Sequence, residues 1–287
     1  MKKILITGAN SYVGTSFEKW LSQWPDKYHV DTIDMIDGTW RKKSFAENDV
    51  VFHVAGIAHV SADPSKKDLY YRINRDLVVD TAKKAKNDGV KQFIFMSSMI
   101  IYGDHECVSL NTHPCPKDFY GDSKLQAEIG IKQIANENFK IVVLRPPMIY
   151  GKNSRGNYRL LSQFAKTSPL FVKHDNLRSM LYIENLCSFV KLMIDNEESG
   201  VFFPQNTEYV STYKLVSAIA AAAGHKIWIT SLLVPFITLG MLIPGKCGYT
   251  FKKVFGNSYY EMSMSEYKEQ YRIFSFKESI AKSEGII

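Results

Sequence analysis

The sequence predicts an α/β protein: a doubly wound parallel sheet with helices on both faces and a smaller C-terminal lobe. Three observations lead there. Short β-branched runs alternate with helical patterns through the first half of the chain. Those runs are apolar throughout rather than at every second position, as in strands buried on both faces. After Pro146-Pro147 the rhythm breaks into a stretch rich in Gly, Asn, Ser and Lys. At 287 residues the chain exceeds the ~100–200 of one ordinary domain, which leaves room for an added lobe.

Taken in order, Lys3–Thr7 reads as a strand, Ser11–Trp24 as a helix, and His29–Asp34 and Val50–Val54 as strands. Asn74–Asn87 reads as a helix, Gln92–Ser97 as a strand, Tyr120–Glu137 as a helix and Lys140–Leu144 as a strand. Tyr182–Asn196 and Val201–Phe203 return to the sheet. The expected division is therefore 1–151 plus about 178–206 for the sheet domain, and about 152–177 plus 207–287 for the lobe. Ile227–Ile243 carries no charge, but Pro235 interrupts it and Thr230, Ser231 and Thr238 dilute it. It is read as a packed helix and strand of the lobe rather than a membrane span or interfacial anchor.

With 36 basic and 29 acidic residues the net charge is +7, which suits anionic ligands. The Lys and Arg residues are dispersed, so nucleic acid is not an expected partner. Cys107, Cys115, Cys187 and Cys247 are too scattered for a metal or redox pair and too few for a disulfide scaffold. No His, Cys, Asp or Glu cluster has metal-ligand spacing. Lys2-Lys3 precedes only Ile4-Leu5-Ile6, far short of the ~7–15 apolar residues of a secretory signal, so a cytoplasmic location is expected.

The first strand runs straight into Gly8-Ala9-Asn10-Ser11-Tyr12-Val13-Gly14, and a helix follows at once. In that context the first helical amides point at a pyrophosphate and the helix dipole favours its charge, so Gly8, Asn10, Ser11, Tyr12, Val13 and Gly14 are expected to hold a dinucleotide. Gly8 permits the tight turn and Gly14 the close helix–strand packing. Asp34 closes the next strand 26 residues after Gly8, near the ~20-residue spacing at which a carboxylate takes the adenine ribose hydroxyls. A carboxylate repels a 2′-phosphate, which favours NAD; Arg41, Lys42 and Lys43 nearby leave NADP open. A plain strand-to-helix turn and a solvated strand end explain each feature alone, but not both together.

Tyr120 and Lys124 are four apart on an expected helix, so their side chains leave one face about a turn apart. Neither is a good base at neutral pH by itself. An ammonium beside the phenol, with a positive nicotinamide nearby, favours the phenolate and is expected to lower the pKa of Tyr120, making it an acid/base.

These residues resemble the extended short-chain dehydrogenase/reductase family, in particular its nucleotide-sugar epimerases, reductases and dehydratases. The resemblance rests on Thr7–Gly14, Asp49-Val50-Val51-Phe52-His53-Val54-Ala55-Gly56, Ser97-Ser98 before Tyr102-Gly103, Tyr120-Gly121-Asp122-Ser123-Lys124 and Arg145-Pro146-Pro147-Met148-Ile149-Tyr150-Gly151. It is strong to about Gly151 and weaker beyond. It implies a Rossmann-type fold, an NAD(P) cofactor touching Ala55 and Lys124 through its site, and Ser98 as the hydroxyl that hydrogen-bonds the reacting sugar oxygen. It also implies Asp37 as the adenine-contacting acid, Asn74 as a backbone brace, and Arg178 as the ligand of the substrate's diphosphate, with Asn157 and Arg272 as weaker substrate candidates. His53 and His59 flank Ala55-Gly56 and read as structural groups.

Two positions depart from the pattern. The family's middle glycine is Ser11, and the interval from Asp34 to Asp49 is too short for a full helix and third strand. After Ser98, where the family's 4,6-dehydratases carry an Asp-Glu pair, this chain has Met99-Ile100, which disfavours dehydration. The resemblance thus implies chemistry at C4 of a nucleotide sugar, UDP being the family's commonest handle: a UDP-hexose 4-epimerase, or alternatively a 4-ketoreductase of a UDP-4-keto-6-deoxy sugar. A non-catalytic dinucleotide-binding sensor or scaffold is the competing class, but Ser98, Tyr120 and Lys124 are all present. The family's habit of pairing the helices near Asn74 and Tyr120 implies a homodimer.

Overall fold

A computed structural model describes residues 1–58 and 63–286; His59 lies outside them. β1 (Lys2–Thr7), α1 (Tyr12–Leu21), β2 (Tyr28–Ile33) and β3 (Val50–His53) open the chain. α2 (Lys67–Tyr71), a π-helical turn at Arg72–Asp76 and α3 (Leu77–Asn87) form one helical stretch before β4 (Gln92–Met96). β5 (Cys107–Val108), α4 (Phe119–Lys132), β6 (Lys140–Leu144) and β7 (Met148–Tyr150) follow. The rest comprises α5 (Asn157–Thr167), β8 (Leu170–Val172), β9 (Met180–Tyr182), α6 (Ile183–Asp195), β10 (Gly200–Phe202), α7 (Thr212–Ala222), β11 (Trp228–Thr230), α8 (Val234–Leu242), α9 (Lys246–Phe255), β12 (Tyr259–Tyr260) and α10 (Phe276–Glu284).

The central sheet is parallel, in the order β2-β1-β3-β4-β6-β10. This is the doubly wound order of two mononucleotide-binding halves with its first edge strand missing. Between Asp34 and Asp49 the chain makes only a short 3₁₀ turn, Thr39–Lys42, and Trp40 and Phe45 plug the space at 1% and 0% exposure. Register aligns Thr7 with both Ile33 and His53, and His53 with Phe95. The carboxyl ends of β1, β3 and β4 therefore lie side by side, where a doubly wound sheet places its ligands.

Strand alternation builds two cores. Ile4, Ile6, Phe52, Ile94, Val142 and Leu144 face one side, and Leu5, Val51, Phe93, Phe95 and Val143 face the other, under α3 and α4. The first core continues without a break into Leu215 and Ile219 of α7 and Ile280 of α10, so lobe and sheet share one apolar interior.

Several expectations need correction. The helix expected to begin at Asn74 starts earlier, and Asn74 sits inside the π-helical turn, completely buried. α1 and α4 end three and five residues before the sequence suggested, at Leu21 and Lys132. The uncharged 227–243 segment forms the expected strand and helix, β11 paired with β8 and α8, but α8 is packed on one side only: of its residues Ile237 and Gly240 alone are buried. Among the described residues no helix is long and apolar enough to cross a membrane.

Candidate active site

The glycine turn fits a dinucleotide. Gly8 has φ +98°, and a Cβ there would stand 2.9 Å from the N and Cα of Ala55, so only glycine lets the β1 and β3 loops meet. Asn10 also takes a left-handed conformation, with φ 65°. A Cβ on Gly14 would press Ile6 and Val54 at 3.1 and 3.2 Å, which is why α1 can lie so close over the sheet. The amides of Tyr12 and Val13 fall in the first turn of α1, where a helix supplies no acceptor of its own. Ser11, where the family has its middle glycine, caps α1: its Oγ accepts from the Gly14 amide at 3.1 Å.

At the ribose end, Asp34 accepts from the Ile36 amide at 2.9 Å, and Asp37 accepts from the Thr39 amide at 3.0 Å and its hydroxyl at 2.7 Å. Those bonds hold Asp37 below the usual carboxylate range. Ile36 between them is 91% exposed, a bare apolar side chain on the rim that the sequence reading did not single out. Arg41 is drawn away to Asp80, at 3.3 Å, and lies over the Trp40 ring.

The Ser-Tyr-Lys group assembles at the end of β4. Ser98 caps the 3₁₀ turn Met99–Tyr102, its Oγ accepting from the Ile100 amide at 3.2 Å, and it acts to lower the pKa of the Tyr120 phenol. Asp118 caps α4 through the Gly121 amide at 2.7 Å and so sets where Tyr120 and Lys124 emerge. Tyr120 packs edge-on against Tyr70 at 5.9 Å. Lys124 is 6% exposed; its Nζ donates to the Met96 carbonyl at 2.9 Å and lies 4.8 Å from the centre of the Phe95 ring.

The expected lowering of the Tyr120 pKa supposes a positive nicotinamide beside the phenol; the protein's own packing acts the other way. Burial pushes the phenol up to about 12, and Ser98 only moderates this. Burial also drags Lys124 down to about 8, with Glu128 pulling the other way, and its ammonium is turned to a backbone carbonyl rather than the phenol. Tyr120 thus rests protonated.

Beneath the site lies a layer the sequence reading missed. Glu128 follows Lys124 by one further turn and meets Arg145 through both carboxylate oxygens, the shortest contact being 2.5 Å. Ser97 donates to Glu128 at 2.5 Å, and Arg145 to the Tyr102 hydroxyl at 2.6 Å. The i, i+4, i+8 spacing of Tyr120, Lys124 and Glu128 was the available signal. Asn74 is a brace: Oδ1 accepts from the Ile57 amide at 2.9 Å and Nδ2 donates to its carbonyl at 3.0 Å. A Cβ on Gly56 would lie 3.0 Å from Asn74 Oδ1 and 3.3 Å from Lys124 Nζ, so the loop after β3 passes tightly over both. His53 is fully buried, its Nδ1 2.8 Å from the Thr7 hydroxyl, and burial and then the Lys124 charge lower its pKa to about 3.

Of the substrate candidates, Arg178 donates through Nη1 to the carbonyls of Lys253 and Gly256, at 3.0 and 3.1 Å. Its backbone bridges Ser258, whose hydroxyl lies 3.8 Å from Met99 Sδ, beside Ser98. Asn157 opens α5, half-buried. Arg272 is half-buried, with Nε and Nη2 donating to the Gln205 and Ser265 carbonyls at 3.0 and 2.8 Å.

A doubly wound sheet whose strand ends carry a dinucleotide cradle beside Ser98, Tyr120 and Lys124 defines a nicotinamide-dependent enzyme. Residues 4–203 match the model of the NAD dependent epimerase/dehydratase family, and the chain belongs to that family. The NAD(P) cofactor and nucleotide-sugar chemistry expected from the resemblance agree with this membership. A UDP-glucose 4-epimerase of Vibrio cholerae is 28% identical over 284 residues, covering 90% of this chain and 83% of the relative. An N-acetyl-alpha-D-glucosaminyl-diphospho-ditrans,octacis-undecaprenol 4-epimerase of Escherichia coli O157:H7 is 29% identical, covering 89% and 82%. The crystal structure of a UDP-glucuronic acid 4-epimerase from Bacillus cereus in complex with NAD superposes with TM-score 0.72 at 18% identity, over 99% of this chain and 95% of the other.

Proposed function

We propose that the protein is a 4-epimerase of a UDP-linked hexose, working through NAD. The observation that carries this reading is the convergence of Ser98 with Tyr120 and Lys124 of α4 on the end of β4, where Lys124 Nζ meets the Met96 carbonyl, followed by a turn, Met99–Tyr102, that holds no carboxylate. Acid/base equipment for one sugar hydroxyl is present without the acidic pair that dehydration needs. Bound nicotinamide would supply the acceptor and donor of the C4 hydride.

The chain's own residues supply the rest. Tyr120 Oη exchanges the proton of the C4 hydroxyl, and Ser98 Oγ hydrogen-bonds the same sugar oxygen and holds it in line. Lys124 holds the nicotinamide ribose hydroxyls, and its charge favours the phenolate once it turns from Met96. The turn of Gly8, Asn10, Ser11, Tyr12, Val13 and Gly14 receives the pyrophosphate, with Ala55 as its floor; Asp34 takes the adenine ribose, with Asp37 at the adenine. Arg178, fixed by the end of α9, meets the substrate's diphosphate, with Asn157 nearby in the lobe formed by 152–177 and 207–287. Arg272 serves as a brace within that lobe. We also place the protein in the cytoplasm, in keeping with its four free cysteines, and infer a homodimer through α3 and α4, testable by light scattering.

The deciding experiment incubates purified protein with UDP-hexoses, UDP-N-acetylhexosamines, their 4-keto-6-deoxy derivatives and a polyprenyl-diphosphate-linked sugar, with and without NADH or NADPH. Inversion of a UDP-sugar without net cofactor consumption is the expected result. Stoichiometric oxidation of NADH or NADPH with a 4-keto sugar would make the protein a ketoreductase. Turnover only of the lipid-linked sugar would replace UDP as the carrier.

A further inference from the structure

The α8–α9 corner of the lobe presents a surface that the catalytic reading does not use. Trp228, Leu232, Phe236, Leu239 and Leu242 are between 62% and 77% exposed, and Leu233, Ile243 and Tyr249 are exposed beside them. Such contiguous bare apolar surface marks an interaction site. Within α8, Phe236, Leu239 and Leu242 recur every three residues on the outward side, while Ile237 and Gly240 face the protein. Gly240 allows the contact to α9: a Cβ there would strike the Phe251 ring at 2.9 Å.

Charge identifies the occupant. From Tyr209 to Tyr260 the sequence holds five lysines and not one Asp or Glu, although the chain as a whole has 29 acidic residues. Lys226, Lys252 and Lys253 flank the stripe and are exposed, and among the described residues no carboxylate pairs with them. A second copy meeting this face would bring lysines against lysines. A surface of negative charge over apolar depth answers both features. At 9 residues α8 is far shorter than the ~20 needed to span a bilayer, so it would lie in the interface plane.

We propose that the α8–α9 corner docks on an anionic phospholipid surface, with Leu232, Phe236, Leu239 and Leu242 among the acyl chains and Lys226, Lys252 and Lys253 against the headgroups. This inference depends on exposure and charge and not on which sugar is turned over.

The test is co-sedimentation of the full chain with vesicles of phosphatidylcholine alone and of phosphatidylcholine with phosphatidylglycerol. The expected result is a preference of about tenfold or more for the anionic vesicles, the effect of two lysines near such a surface, weakening as salt is raised. Phe236→Ser with Leu239→Ser should abolish pelleting while leaving the melting temperature unchanged. Lys252→Gln with Lys253→Gln should remove the anionic preference. Absence of binding to either vesicle overturns the proposal, as does binding indifferent to phosphatidylglycerol. A lipid-free dimer that the serine variants convert to monomer assigns the face to a second copy and equally overturns it.

Discussion

Strand β4 and helix α8 are both short and apolar. All five residues of β4, Gln92-Phe93-Ile94-Phe95-Met96, are buried, with β3 on one side, β6 on the other and a core on each face. α8, Val234-Pro235-Phe236-Ile237-Thr238-Leu239-Gly240-Met241-Leu242, has a neighbour on one side and buries two of nine. Hydropathy states what a segment gains by leaving water; only the surrounding elements decide whether it can leave. Where neighbours cover only one side, the apolar side chains on the other side stay in water.

The contrast can be broken most severely beneath β4. Glu128→Ala would strand the buried Arg145 guanidinium, and denaturant unfolding should show a loss of about 3–5 kcal/mol; a loss near zero would mean that the pair is solvated in solution. Ile94→Ala in β4 should cost about 2–5 kcal/mol in the same measurement, through lost transfer and the cavity left behind.

Tyr120→Phe should lower turnover by at least about 10²-fold while cofactor and substrate still bind by calorimetry, because only the proton-carrying oxygen is removed. Retained turnover would remove Tyr120 from the acid/base role.

A pH measurement probes the same buried layer. His53 has a folded pKa of about 3 against an ordinary value of 6.5, so above pH 6.5 both states are neutral and its effect is constant. Below that the unfolded chain takes up a proton that the folded chain refuses, and stability falls with falling pH until about pH 3. At pH 5 this amounts to about 2 kcal/mol relative to pH 7.5, a loss that His53→Gln should not show. Equal losses in both proteins would place the titrating group elsewhere. The smallest effect belongs to the exposed helix: Leu239→Ala should change stability by no more than about 0.5 kcal/mol, against the cost of the same kind of truncation in β4.

Much of the fold and site was readable along the chain because the signals are local. Apolar runs gave the strands, and the glycine turn of Gly8 to Gly14 with Asp34 marked the nucleotide end by its order on strand, turn and helix. Tyr120 and Lys124 stood out as candidates because a helix makes four-residue spacing into a shared face, and both lie on α4. The same periodicity extends to Glu128, but its partner Arg145 lies on the far side of β6, and sequence distance conceals such a pair.

The resting state of the phenol depended on contacts that no spacing reveals. Whether Lys124 points at Tyr120 or at the Met96 carbonyl is settled by where the β4 backbone ends, and burial, a property of the whole packing, outweighs the neighbouring charge. The hydrogen bonds of Arg272 were hidden for the same reason, since Gln205 and Ser265 reach it only in the folded chain. The sequence by itself therefore determined element type, strand character and the local geometry of the turn and the Tyr-Lys pair, all set within a few residues by periodicity and backbone sterics. Tertiary structure alone decided which apolar segments found cover and which charges found partners, because burial and pairing depend on elements brought together from distant parts of the chain.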